Sequence, residues 1–395
     1  MQKINIERFL ELSKQHIVID VRSPAEYAHA HIPGAHSLPL FSDEERKIVG
    51  TTYKQQSREA AIKIGLDFFG PKMRKLVEQV EELIVNRQLA IGNAGRANSE
   101  NDLPIAHCLL LYCWRGGMRS AGVAWLLDLY GYKVFSLIGG YKKFRNHVLD
   151  TFKLPFQFKV LGGYTGSGKT EMLKALQHQG EVAIDLEEIA RHRGSAFGKM
   201  GCEQPSQEMF ENVLARELWE KLSIGPTGLL RSNGHPDGYR EPSDLELSPF
   251  TSRSLSGDHS PIWLEDESQR IGDINIPHEL WKTIRQSPVY FFDIPFEKRL
   301  HRLVKEYGNM DKEKLIDCIT RIEKRLGNLE TKNAIGYLHE NNTVECFRIL
   351  LKYYDKWYLK SLHNRNNLNS LLVSISCENV GLDNTRALRK QASIS

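Results

Sequence analysis

The stretch LLLYCWRGGMRS, residues 109 to 120, ends an apolar run on Cys113 and follows it with Arg115, Gly116, Gly117, Arg119 and Ser120. A thiol placed where a buried strand meets the start of a helix faces successive backbone N–H groups and the positive end of the helix dipole. The two glycines permit the turn such a cradle needs. That field, with Arg115 and Arg119, favours thiolate over thiol and would hold a persulfide or perselenide as an anion. Cys108, inside the strand, reads instead as a small buried hydrophobe.

A second anion-binding loop follows. GGYTGSGKT contains G-x-x-x-x-G-K-[ST] from Gly163 to Thr170, directly after an apolar strand and before the helix-compatible EMLKALQHQ. In that context the amides of Gly163, Gly166, Ser167 and Gly168 cradle phosphates, Lys169 reaches their outer oxygens, and Thr170 can ligate Mg2+. An acidic partner should end a neighbouring strand. PIWLEDES offers Glu265, Asp266 and Glu267 there, and spacing alone does not choose among them. DLEEIARHRGSAFG adds His192 and Arg193, which suit a second phosphate or a nucleotide as well as they suit a plain basic helix end.

These loops need strands and helices to hold them. Short runs rich in Val, Ile and Leu, at 16–21, 107–113 and 133–138, alternate with helical patterns, and the theme repeats at 156–163, 181–185, 261–266 and 288–294. Continuous apolar runs of this length indicate buried parallel strands, so the fold class is α/β. One parallel-sheet domain is expected over 1–145, a second over 156–296, and Pro155 marks the break between them. From 297 to 395 Lys, Arg, Glu, Leu and aromatic residues dominate, which predicts a helical region ending in an irregular tail. The stretches 86–104 and 225–261, rich in Gly, Ser, Asn and Pro, read as loops.

Composition bounds the rest. A chain of 395 residues, 41% hydrophobic and 26% charged, is ordinary for a globular protein of two or three domains. Cys108, Cys113, Cys202, Cys318, Cys346 and Cys377 show no zinc-finger spacing and are too sparse for a disulfide scaffold, so reduced thiols and a cytoplasmic location are expected. No window reaches the roughly 18 apolar residues of a membrane helix, and the first residues lack the apolar core of a signal peptide. A net charge of +4 permits nucleic-acid binding without demanding it.

The motifs also carry a family resemblance. DVRSPAEYAHAHIPGAHSLPL, 20–40, resembles the signature of a rhodanese domain, whose active cysteine carries sulfur in a strand-to-helix loop. The Cys113–Arg119 spacing, C-x5-R, also occurs in protein phosphatases. Asp20, Arg22, Glu26 and His31 in that signature read as an ion-pair and turn network that supports the fold. Together with CWRGGMRS, GGYTGSGKT, EDESQRIG, RIEKRLG and YYDKWY, the chain resembles the tRNA 2-selenouridine synthase family over roughly 16–360. The resemblance implies a rhodanese-like domain followed by a P-loop NTPase-like domain. It also implies an enzyme, a transferase of selenium-containing groups with geranyltransferase activity, that acts on wobble 2-thiouridine of tRNA. Selenophosphate would be the selenium donor, geranyl diphosphate the source of a geranylated intermediate, Cys113 the selenium carrier and a selenophosphate synthase a candidate partner. Two alternatives stay open at this point: a rhodanese-type sulfurtransferase or a C-x5-R phosphatase, either one coupled to a nucleotide-binding P-loop domain. The cations and aromatics of EKRLHRLVKEYG, RIEKRLG and LLKYYDKWYLKSLHNR make the C-terminal region the candidate tRNA face.

Overall fold

The structure, a computed structural model, describes residues 1–91, 108–192, 203–222, 260–308 and 310–392. The chain divides into two units, one holding Met1–Thr151 and the other beginning at Phe152.

In the first unit the strands are β1 (Gln2–Ile4), β2 (Ile17–Asp20), β3 (His36–Ser37), β4 (Cys108–Tyr112) and β5 (Lys133–Leu137). They form one sheet in the order β1-β5-β4-β2-β3, with every pair parallel. Parallel strands need crossovers that cover both faces, which is why β2 and β4 carry apolar side chains without alternation. Ile17, Ile19, Leu109, Leu111 and Cys113 pack with Leu76, Val80, Val123 and Leu127 of helices Met73–Ile91 and Met118–Leu129. On the other face the ring of Phe9, from helix Ile6–Ser13, meets Tyr112 edge-on, and Tyr141 of helix Gly140–Thr151 stacks on the same tyrosine.

In the second unit β6 (Phe158–Gly163), β7 (Ala183–Ile184), β8 (Ile262–Glu265), β11 (Val289–Asp293) and β12 (Leu372–Ser376) form a parallel sheet in the order β12-β11-β6-β8-β7. The short strands β9 (Arg270–Ile271) and β10 (Ile274–Asn275) pair antiparallel beside it. Helices Phe296–Tyr307, Lys312–Arg321, Asn328–His339 and Thr343–His363 build a separate apolar core around Leu303, Ile319, Leu338, Phe347 and Leu351.

Two expectations are corrected. Helix Met73–Ile91 runs on into the stretch read as a loop from 86, because Arg87, Gln88, Leu89 and Ala90 are good helix formers and no Gly or Pro interrupts them. The C-terminal tail is not irregular: β12 pairs with β11 from Val289↔Leu372 to Asp293↔Ser376, and helix Asn384–Ala392 buries Leu388 against the core of the P-loop sheet. Without these residues the Tyr290 and Phe292 strand would form a sheet edge. The remainder of 86–104, residues 225–259, Cys202, and Arg193–Gly198 lie outside the described residues.

Candidate functional site

The first site is the turn from β4 into helix Met118–Leu129, whose N-cap is Gly117. Cys113 closes the strand, 3% exposed, and its sulfur receives the Gly117 N–H at 3.3 Å and lies 3.2 Å from Ser120 Oγ. Ser120 is fully buried and also donates to Gly117 O at 3.1 Å, so one hydroxyl can serve the loop backbone or the sulfur. The loop is fixed from outside by the start of the next helix. Tyr141 N–H donates to Cys113 O at 2.8 Å and Lys142 N–H to Trp114 O at 3.0 Å. That approach requires glycine at 140: φ is +56°, and a Cβ there would lie 2.2 Å from Cys113 O and 2.4 Å from Gly116 N.

The two arginines divide. Arg115 is exposed, while Arg119 is tied to Glu26 by a 2.8 Å bond from its guanidinium. Burial alone would raise the Glu26 carboxyl, but the Arg119 hydrogen bond and charge, the Ser23 amide and Arg46 bring it below its ordinary value. Asp20 and Arg22 form the fold-supporting network read from their signature. Arg22 Nη2 reaches Asp20 Oδ2 at 2.6 Å and Ala30 O at 2.7 Å, and the guanidinium lies 3.8 Å from the centre of the Tyr141 ring. His31 Nδ1 sits 3.0 Å from Tyr27 O, and its ring stacks on Tyr27.

The second site is the loop from β6 into helix Lys169–His178. Gly163, at φ +150°, could not carry a side chain, since a Cβ would meet Ser167 Oγ at 2.7 Å; Gly166 and Gly168 also take positive φ. Lys169 Nζ donates to Gly163 O at 3.1 Å, which brings its ammonium back over the loop. Ser167 Oγ is buried with no protein partner, so a donor stands ready inside the cradle.

The three acids separate clearly. Asp266 is spent on structure: Oδ2 accepts from Tyr358 OH at 2.8 Å and Oδ1 pairs with the buried Arg365. Glu265 lines the same cavity as the phosphate loop, and its Oε1 has no hydrogen-bond partner. Burial pushes its carboxyl up to about 8, with Glu187 and Asp185 adding to the rise and Lys169 and Thr170 opposing it. The Glu267 carboxyl is moved well upward by burial and by Glu187. Among the described residues no three His, Cys, Asp or Glu are arranged to cage a metal ion. Thr170 with the orphaned Glu265 oxygen suits a cation delivered together with phosphate groups.

The residues that brace this loop were not singled out from sequence. Arg299, 3% exposed, donates to both oxygens of Asp355 at 2.8 and 2.9 Å and to Thr165 O at 3.2 Å. Tyr358 OH accepts the Gly163 N–H at 3.0 Å; burial and Asp266 keep it a neutral phenol that donates onward to Asp266. Their signal was YYDKWY, where an acid and a tyrosine three residues apart share a helix face with the core. Arg299 and Arg365, expected among the tRNA-facing cations, are interior clamps instead. A cavity of about 560 Å³ opens from the phosphate loop, bounded by Glu265, Glu267, Arg302, Arg325 and the aromatic face of helix Thr343–His363.

Comparisons with known proteins fit this division. Residues 6–147 match the rhodanese-like domain, and 156–230 with 245–380 match the family described as the tRNA 2-selenouridine synthase AAA domain. Proteins named tRNA 2-selenouridine synthase are 32% identical in Sulfurovum sp. (86% of this chain, 87% of that protein) and 31% identical in Pseudomonas savastanoi pv. phaseolicola (86% and 87%). In Bdellovibrio bacteriovorus the relative of that name is 31% identical over 93% of this chain and 94% of its own length. No helix among the described residues is long and apolar enough to cross a membrane. With both halves matched in this order, the chain belongs to the tRNA 2-selenouridine synthase family.

Proposed function

We propose that this chain replaces sulfur by selenium in wobble 2-thiouridine of tRNA, using selenophosphate from a separate synthase and passing through a geranylated 2-thiouridine. The observation that carries the reading is the pairing of a thiol loop with a phosphate loop in a chain of this family. In the first step the phosphate loop binds the diphosphate of geranyl diphosphate. Lys169 and the loop amides neutralise the charge that grows as the carbon–oxygen bond breaks and its electron pair leaves with diphosphate. The thiouridine sulfur takes the geranyl carbon, and the base gives up its N3 proton. A Mg2+ ion, held by Thr170 and Glu265 with the phosphates, would add positive charge at the same leaving group.

S-Alkylation makes the sulfur a better leaving group than the free thiocarbonyl. Cys113, entering as a mixed disulfide with a small cellular thiol, is attacked at sulfur by the selenium of selenophosphate; the small thiol leaves and water takes the phosphoryl group, so Cys113 carries selenium as a selanyl group. That selenium is the soft nucleophile that attacks C2 and expels geranyl thiolate, and a small thiol then attacks the Cys113 sulfur, breaking the Se–S bond, releasing the selenouridine and restoring the mixed disulfide. Gly117 N–H and Ser120 Oγ are the groups within reach of that sulfur.

The test is mass spectrometry of nucleosides from thiouridine-bearing tRNA incubated with protein, geranyl diphosphate and selenophosphate. Wild type should yield selenouridine. Cys113→Ser should stall at thiouridine or its geranylated form, and Lys169→Ala should lose geranylation. Geranylation intact in Lys169→Ala would remove the phosphate loop from this role. Turnover of thiosulfate or a phosphate ester in place of tRNA would overturn the whole reading.

A further inference from the structure

Helix Thr343–His363 presents two adjoining stripes. Tyr353, Trp357 and Ser361 line the cavity, and Lys352, Lys356 and Lys360, each one residue earlier, form an exposed row beside them. Trp357, 40% exposed, is the one exposed aromatic ring among the described residues of the second unit. Its ring lies 6.4 Å from that of Tyr353 and 5.0 Å from Lys360 Nζ, and Arg325 lines the same cavity. At the inner end of the same cavity Lys169 Nζ lies 5.9 Å from the Tyr358 ring. The Trp357 ring borders the cavity of the phosphate loop with a cation against it, a setting that does not suit an apolar chain. The combination suits a planar base that brings its own phosphates.

We infer that Trp357 is a stacking platform for an unstacked pyrimidine of a single-stranded RNA loop, whose backbone phosphates run along Lys352, Lys356 and Lys360. The inference rests on the reading of the chain as acting on tRNA, and it assigns the base-binding end of the phosphate-loop cavity. Stacking on one ring is sequence-tolerant and strong enough to matter, and three lysines give a salt-dependent share of the affinity.

The experiment measures binding of the full chain to an anticodon stem-loop with 2-thiouridine at the wobble position, and to the same RNA abasic there, by tryptophan fluorescence and by a separate affinity assay. Wild type should be quenched by the base-bearing loop only. Trp357→Phe should keep the affinity and lose the quench, Trp357→Ala should bind about tenfold more weakly, and Lys352, Lys356 and Lys360 changed together to Gln should flatten the salt slope by about 2. Inorganic diphosphate should bind the tryptophan variants as it binds wild type, showing the phosphate loop intact. Equal affinity and quench with the abasic loop would overturn the inference, as would a Trp357 quench produced by geranyl diphosphate and not by RNA. Failure of wild type to bind either RNA would overturn the tRNA reading beneath it as well.

Discussion

The cysteine loop and the phosphate loop are built alike and braced differently. Each joins the end of a parallel strand to a helix N-terminus through glycines. The cysteine loop is anchored by Tyr141 and Lys142, fewer than thirty residues on, whereas the phosphate loop is anchored by Arg299 and Tyr358, more than a hundred residues away. A short-range brace is rigid by backbone geometry. A long-range brace ties the loop to whatever moves the helices that supply it, so the C-terminal helices belong to the phosphate site as well as to their own core.

The sharpest break in this comparison is Gly140→Ala. A Cβ 2.2 Å from one backbone atom and 2.4 Å from another, at φ +56°, leaves no room for side-chain relaxation. The expected loss exceeds about 4 kcal/mol in denaturant unfolding. A variant within about 1 kcal/mol of wild type would show that the loop tolerates a gap between it and the next helix.

Asp355→Ala cuts the long brace and leaves Arg299 buried without its partner. A loss of about 3 kcal/mol is expected, together with weaker binding of inorganic diphosphate, because Arg299 also holds Thr165 O. If stability fell and diphosphate affinity did not, the clamp would support the helices alone.

Glu265 gives the phosphate loop a pH dependence. Its carboxyl is raised from 4.5 to about 8, so between those values the folded chain holds a proton the unfolded chain has released. Stability contributed by this group is therefore present below 4.5 and falls as pH rises to about 8, by at most about 1.4 kcal/mol per pH unit. Glu265→Gln should flatten that slope in thermal unfolding across the same window. An unchanged slope would place the proton elsewhere, with Glu267 the next group to replace.

What the sequence made legible follows the same division. The apolar runs of β4 and β6, Cys113 and the GSGKT loop lie in contiguous order, so their strand–loop–helix context could be read directly. The Arg299–Asp355 and Arg365–Asp266 pairs could not. Their members sit 56 and 99 residues apart, with Arg299, Asp355 and Arg365 in segments whose composition reads as solvated cationic helix, and burial alone separates a clamp from a surface charge. Strand β12 was missed because LVSIS is short and follows a long run of helices, and its partner β11 ends 79 residues before it begins. Among the three acids after β8 the choice depended on Tyr358 and Arg365 claiming Asp266, which no local pattern encodes.

The smallest expected effect tests a long-range tie of the cysteine loop. Glu26 and Arg119 are 93 residues apart, and their pair is only partly screened, with side chains 17% and 22% exposed. Because the folded Glu26 carboxyl lies below its ordinary 4.5, its contribution is present above that value and lost as pH falls through the lower, folded one. Glu26→Gln should therefore cost about 0.5–1 kcal/mol at neutral pH and nothing in acid, where the wild-type carboxylate is itself neutral. The same variant releases the Arg119 guanidinium from its carboxylate partner. If the cost were equal at neutral and acid pH, Glu26 would be acting through its capping of helix Pro24–His29 and not through its charge, and the cysteine loop would be braced by its backbone alone.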